Sequence, residues 1–335
     1  MKMRELNGDM LSMTDTLLPP GADEDIHLTH GDLHLTVSAY GASLRGLTRG
    51  EGTTAKPIVT SYEGAKNKIG GQGDVLIPYP GRVNHGAYTF DGHNYQLPLN
   101  DKEGPNSIHG FLRTVIWDVA ELTADTVTFE THLNASDYTS KGYPFSLQVK
   151  ISYGVGPDGL TCSYIMKNVG DNAAPVAAGF HPYFTVGSET IDNDILHVPF
   201  EGKLEFNDDL IPTGVVQPVS GTDFDFLEPR TIGKVEINTC YVQPLRDADG
   251  RLRVSLQSAE SGDAIVVWMD ESFDYVVLYS GDVLPAGHER RALAIEPMTC
   301  ASDAFNRHEW GLVSLAPGEE TRGNWGVTDK PVVVS

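Results

Sequence analysis

This 335-residue chain has little cysteine, little positive charge and no long hydrophobic run, and each shortage removes a class of function. Its three cysteines, Cys162, Cys240 and Cys300, are odd in number and widely spread with no C-x-x-C pair. That pattern argues against a disulfide framework or a thiolate zinc centre and predicts reduced, structural thiols. Lys and Arg total 24 against 46 Asp and Glu, a formal charge of −22. Such a surface repels phosphate backbones and anionic lipid headgroups, so neither nucleic acid nor a membrane is an expected partner. No apolar stretch approaches the roughly 20 residues that span a bilayer. The N-terminus carries neither the basic nor the apolar region of a secretory signal, and a cytoplasmic location is the expectation. Also missing are H-E-x-x-H, a tight Cys/His cluster, an Asp-rich calcium loop and a G-x-S-x-G elbow. Gly70-Gly71-Gln72-Gly73 lacks the spacing of a phosphate-binding loop and reads as a glycine-rich turn. The residues call for no cofactor and no metal.

Helical periodicity is nearly absent as well; apolar residues at three-four spacing nowhere persist for three turns. What is present is period-two alternation. Leu33, Leu35 and Val37 fall on one strand face, with His34 and Thr36 on the other. Tyr88 and Phe90, then Tyr95, Leu97 and Leu99, flank Asp91-Gly92 as a hairpin. Val127 to Phe129, Leu147 to Ile151, Leu160 to Met166, Leu252 to Leu256, Ile265 to Trp268 and Tyr275 to Tyr279 continue the series. With 35 Gly and 20 Pro as punctuation, the chain is predicted to be all-β. Residues 1–22 contain the Pro19-Pro20-Gly21 breaker and read as a loosely ordered leader, with Met13 an alternative start. Residues 23–335 show no linker and read as a single domain, one large antiparallel sandwich, because the candidate site segments lie far apart in sequence and can meet only where distant strands converge.

Three settings carry chemistry. Glu296 ends an apolar run, in Ala294-Ile295-Glu296-Pro297-Met298-Thr299, so its carboxylate is poorly hydrated and its pKa should rise, as a general base near neutral pH requires. His109, in Ile108-His109-Gly110, and His181, in Gly179-Phe180-His181-Pro182-Tyr183-Phe184, are histidines in apolar surroundings where small shifts move the ring across pH 7. The aromatic residues beside His181, Tyr183 among them, suit the apolar face of a sugar. Gly81-Arg82-Val83-Asn84 follows a Pro-rich turn and offers a planar guanidinium and an amide to adjacent hydroxyls; the plainer reading is that Arg82 pairs with a surface acid and Asn84 caps a turn. A base, two acid candidates and an Arg/Asn pair suffice for proton transfer on a neutral polyol.

These segments resemble the aldose 1-epimerase (galactose mutarotase) family in order and spacing: Pro80 to Asn84, Tyr95 to Asn100 leading to Ile108-His109-Gly110, Phe180 to Phe184, and Ile295 to Thr299. The likeness covers roughly residues 27 to 328. His109-Gly110 with Arg113 and Trp117, and Glu296-Pro297-Met298-Thr299 with Ala304-Phe305-Asn306, resemble a bacterial branch with diverse or unassigned sugars. The resemblance implies a β-supersandwich fold, Glu296 as the base taking the C1 hydroxyl proton, His181 as the acid protonating the ring oxygen, and His109 and Arg82 orienting and polarising the sugar. It implies a monomer or homodimer acting on a small sugar. The family's sugar-binding Asp in a D-x-x-aromatic segment is matched by Asn238 in Asn238-Thr239-Cys240-Tyr241, which leaves substrate identity open. A hexose-6-phosphate 1-epimerase would need clustered basic residues, and Arg290-Arg291 with Arg45 and Arg49 are the available ones. A non-catalytic sugar sensor would have lost the acid or the base.

Overall fold

Period-two alternation leaves one face of each strand apolar, and such a face is stable only when packed on another, so strands of this kind stack sheet on sheet. The computed structural model describes Leu18, Pro19 and residues 21–329. The expected leader therefore lies almost wholly outside the described residues. Two large sheets form, of twelve and nine strands. The first runs from Asp25–His30 through Leu33–Ser38, Ser43–Arg49, Lys56–Val59, Tyr183–Phe184, Leu293–Met298, Tyr275–Tyr279, Asn238–Pro244 and Phe200–Phe206 to Pro212–Pro218. Two short strands, Val75–Leu76 and Gly179–Phe180, join it beside Leu293–Met298. The second sheet is built around Leu147–Gly156, Gly159–Asn168 and Glu320–Thr328. Leu35 and Val37 of the first sheet share one buried cluster with Phe129, Val149 and Ile151 of the second. The Tyr153 hydroxyl crosses between the sheets to the Ala42 carbonyl at 2.8 Å. This is the antiparallel all-β sandwich that the alternation predicts.

The Asp91-Gly92 hairpin forms between Ala87–Phe90 and His93–Gln96, with Tyr88 and Phe90 buried. Leu99 departs from that pattern: the strand stops at Gln96, and Leu99 is 59% exposed. Among the described residues the α-helix is a single turn, Ala135–Tyr138, and no helix is long and apolar enough to cross a membrane. Cys162, Cys240 and Cys300 are free and buried.

The strand Leu293–Met298 lies inside the first sheet and all six residues are buried. Side chains alternate along a strand. Leu293 and Ile295 enter the inter-sheet core, so Ala294, Glu296 and Met298 are directed to the opposite face. Register then fixes what stands beside them. Ala294 lies opposite Tyr183 on one side and Tyr279 on the other, and Tyr279 lies opposite Asn238. In the next row, Glu296 lies opposite Val277 and Val277 opposite Cys240.

Candidate active site

Glu296 is 2% exposed, and burial pushes its carboxyl well above the usual carboxylate range, with the Arg82 guanidinium a smaller opposing pull. Its Oε1 lies 3.5 Å from Nε2 of His181. The His181 ring is buried too. Burial drives its pKa down to about 4, the Asp74 carboxylate pulling the other way and Arg113 adding to the fall. Burial favours the neutral form of each group, and in that form the pair carries one proton, on Glu296.

The neighbours of His181 fix its ring. Tyr183 stacks behind it with centroids 5.1 Å apart and planes 17° apart, and the Tyr183 hydroxyl donates to the Gly70 carbonyl at 2.8 Å. At 2% exposure, Tyr183 supports the imidazole from behind instead of offering its face to a sugar, as the sequence had suggested; its position opposite Ala294 puts it against the sheet. Gly71 closes on the ring edge: its φ is +77°, and a Cβ there would lie 3.2 Å from His181 Cδ2. The glycine-rich turn 70–73 thus seats the histidine.

His109 meets His181 edge to face, centroids 5.8 Å apart. Its backbone φ of 65° is left-handed, a conformation that costs a β-carbon residue on the order of 1 kcal/mol and marks candidate functional positions. Gly110 follows with its Cα packed on the Ile77 carbonyl, where a Cβ would come within 2.1 Å of the oxygen. The Gly81 amide donates to His109 Nδ1 at 3.2 Å. A ring nitrogen that accepts cannot carry a proton, so Nε2 bears the hydrogen and is the ring's donor. Burial, then the fields of His181, Arg113 and Arg82, hold this ring well below the ordinary histidine value, in keeping with a neutral donor.

Arg82 enters from the two-residue strand paired with Ser107–Ile108. Its Nε donates to Asp101 at 2.7 Å and its Nη2 to Glu103 at 2.5 Å. The plainer reading, pairing with acids, holds for these two nitrogens. The Asp101 side chain is buried and that of Glu103 exposed, and the Glu103 charge reaches both Tyr183 and Tyr279. Asn84 opens a 3-10 turn, and its side chain is exposed. Asp303 knits this turn to the segment after Glu296. Its carboxylate accepts the Asn84 amide at 2.9 Å and the Asn306 side chain at 2.8 Å, while its own amide donates to the Arg82 carbonyl. Phe305 packs on Tyr79 and Tyr88. Asn238 is exposed at the start of its strand. Two strand spacings and one alternate residue separate it from Glu296 on the same face, roughly 12 Å between Cα atoms.

Sequence reasoning missed Asp74 and Lys68, and also Asp101, Glu103 and Asp303. The signal for Asp74 was faint: it directly follows a glycine-rich turn. A separate pocket of about 310 Å³, lined by Leu204, Val242, Tyr275 and Trp310, lies on the same sheet face, and none of the acid/base candidates lines it. Among the described residues no group of His, Cys, Asp and Glu is placed to hold a metal ion.

The opposed shifts of Glu296 and His181 predict pH effects of opposite sign. A carboxyl raised by folding contributes stability that is full below its unfolded value near 4.5 and is lost as pH rises towards the folded value. A histidine depressed by folding contributes stability that is full above 6.5 and is lost as pH falls towards about 4. Between about pH 4.5 and 6.5 the unfolded chain also carries about one proton on these two groups, so within that range the two slopes oppose each other. His181→Gln is expected to destabilise as pH rises from 5 to 7, and Glu296→Gln as pH falls from 7 to 5, each by roughly 1–2 kcal/mol. Urea unfolding of both variants at the two pH values checks this; slopes of the same sign would refute the shared-proton description.

The profile of the aldose 1-epimerase family matches residues 24–328. The chain is 29% identical to the uncharacterized protein YihR of Escherichia coli (strain K12), over 84% of this chain and 86% of that one. It is 26% identical to galactose mutarotase of Rattus norvegicus, over 93% and 96% of the two chains. The fold is that of a GalM/aldose epimerase homologue from C. elegans, with a TM-score of 0.80 at 22% identity, covering 91% of this chain and 98% of that one.

Proposed function

This chain belongs to the aldose 1-epimerase family, and on that premise we propose that it is a mutarotase. It interconverts the α and β anomers of a free hexose or a closely related sugar by acid/base ring opening and closure. The observation that carries the reading is the buried contact between Glu296 Oε1 and His181 Nε2 at 3.5 Å.

One shared proton is the number the reaction needs. Opening proceeds from the less favoured form of the pair, carboxylate and imidazolium, reached by moving the single proton from Glu296 to His181. Glu296 takes the proton of the C1 hydroxyl, His181 gives its proton to the ring oxygen, and the bond from C1 to the ring oxygen breaks to leave an open-chain aldehyde. The pair is then carboxylic acid and neutral imidazole, the form that burial favours. Rotation about the C1–C2 bond presents the other carbonyl face. For closure His181 takes the proton of the attacking hydroxyl as Glu296 returns one to the carbonyl oxygen. Atoms and charge balance, and the same two groups serve both directions. His109 Nε2–H and the Arg82 guanidinium, steadied by Asp101 and Glu103, orient the sugar hydroxyls. Polarimetry on freshly dissolved α-glucose and α-galactose, extended to other sugars by saturation-transfer NMR, tests the activity. Anomerisation at the uncatalysed rate across the panel would overturn it.

Asn238 shares the Glu296 face and is assigned to sugar hydroxyls. Asn238→Asp adds a charged acceptor, and a hydrogen bond to a charged group exceeds a neutral one by roughly 1 kcal/mol. The expected result is a several-fold change in KM for at least one neutral hexose, with kcat less affected. Unchanged kinetics across the panel would remove Asn238 from the site.

A further inference from the structure

Behind His181 stands a charged cluster that the reaction scheme does not use. Val75 pairs with Phe180 in an antiparallel ladder. On the next rung the His181 amide donates to the Asp74 carbonyl at 3.0 Å and the Gly73 amide to the His181 carbonyl at 2.9 Å. His181 is thus held through its amide by Asp74 and through its carbonyl by Gly73, while the Asp74 amide donates to the Gly71 carbonyl. The Asp74 side chain is 3% exposed, and its oxygens are clamped separately: Oδ1 by Lys68 Nζ at 2.6 Å, Oδ2 by Arg113 Nη1 at 3.3 Å. Lys68 is itself held, donating to Ser43 Oγ at 3.0 Å with its ammonium over the Tyr40 ring. The space a Cβ on Gly71 would fill is bordered by both partners, 3.2 Å from His181 Cδ2 and 3.6 Å from Asp74 Oδ2.

Among the described residues His181 Nδ1 is buried with no hydrogen-bond partner. No carboxylate is bonded to the ring to fix its charge, as one is in a hydrogen-bonded acid/base triad. The groups facing it are Glu296 from the central strand, His109 from the loop after Ser107–Ile108, Tyr183 from its own segment, Arg113 from the turn Leu112–Thr114, and Asp74 with its Lys68 clamp. Asp74 favours the imidazolium and Arg113 opposes it. In a poorly hydrated site, such fields act over several ångströms.

We propose that Asp74, clamped by Lys68 and Arg113, is a positioning residue for the acid/base pair. Its backbone holds His181 in register, and its carboxylate, balanced against the two cations, sets how the single proton divides between His181 and Glu296. This rests on the reading of those two residues as acid and base, and its test is separable from that reading.

The test follows the His181 ring by NMR in full-length protein labelled at histidine, with the signal assigned by its loss in His181→Gln. Lys68→Met removes one cation and leaves Asp74 in place; the midpoint for protonating His181 is expected to rise by on the order of one pH unit. Arg113→Gln is expected to shift it the same way. Asp74→Asn should lower it, leaving the ring neutral throughout the range in which the protein is folded, and Asp74→Glu should restore most of the wild-type value. The acid limb of kcat/KM should move with the midpoint while KM stays within a few-fold. Should Asp74→Asn fail to fold, Lys68→Met and Arg113→Gln carry the test alone. A midpoint unmoved by more than about 0.2 unit in folded Lys68→Met and Arg113→Gln overturns the inference. A midpoint that moves in a protein with no mutarotase activity supports the coupling and overturns the proposed function instead.

Discussion

Glu296→Gln is expected to lower kcat by about 10² or more, with KM changed by no more than a few-fold. The substitution keeps the shape of the side chain and its capacity to hydrogen-bond, and it removes the basic oxygen. Glu296 sits at 2% exposure in the central strand, with burial raising its proton affinity. Once its own proton has passed to His181, that affinity favours taking one from a hydroxyl, and an amide has nothing to replace it. The ground-state sugar is held chiefly by other groups, so KM should report little. Steady-state polarimetry on the wild type and variant checks this. Activity within a few-fold of wild type would remove Glu296 from the base role.

His181→Asn is expected to cost a similar factor, again mostly in kcat, because an acid contributes as the ring oxygen gains charge and not before. Among the described residues His181 Nδ1 has no partner and its Nε2 faces Glu296, so its functional contact runs through the nitrogen that an Asn amide cannot protonate reversibly. His109→Asn should behave differently. Its Nδ1 is occupied by the Gly81 amide, leaving one donor for the bound sugar, so KM should rise along with any fall in kcat; Arg82→Ala should follow the same pattern. Separate kcat and KM values for the three variants decide the matter. KM-only effects of equal size at both histidines would mean that the acid is misassigned.

Much of the fold was legible because alternation is local. Leu33, Leu35 and Val37 needed only their own spacing to declare a buried face, and the hairpin around Asp91-Gly92 needed only its turn. Leu99 failed for the converse reason: it matched the alternation, but nothing local marked Gln96 as the last paired residue. Within the site, Glu296 and His181 were legible because a charged or titratable residue inside an apolar run is conspicuous wherever it occurs. Tyr183 was placed correctly beside His181, yet its role changed once the Gly70 carbonyl was seen to take its hydroxyl. Both sequence readings of Arg82 stayed open because its acid partners, Asp101 and Glu103, lie some twenty residues away in the chain.

By itself the sequence determined the all-β class and the face on which each strand is apolar, and it singled out Glu296 and His181 as titratable residues in apolar runs, since these follow from chemistry within a few residues of one another. The tertiary structure decided the partners. The 3.5 Å approach of Glu296 to His181, the clamp of Lys68 and Arg113 on Asp74 and the tie of Asp303 to Asn84 each join segments distant in the chain. Which residues face each other there is set by strand register and by the close approaches that Gly71 and Gly110 permit; a glycine in the sequence allows such an approach without naming the partner. Protonation follows the same division: a carboxylate signals charge in the sequence, and only the burial and neighbouring fields of the folded site decide whether it holds a proton.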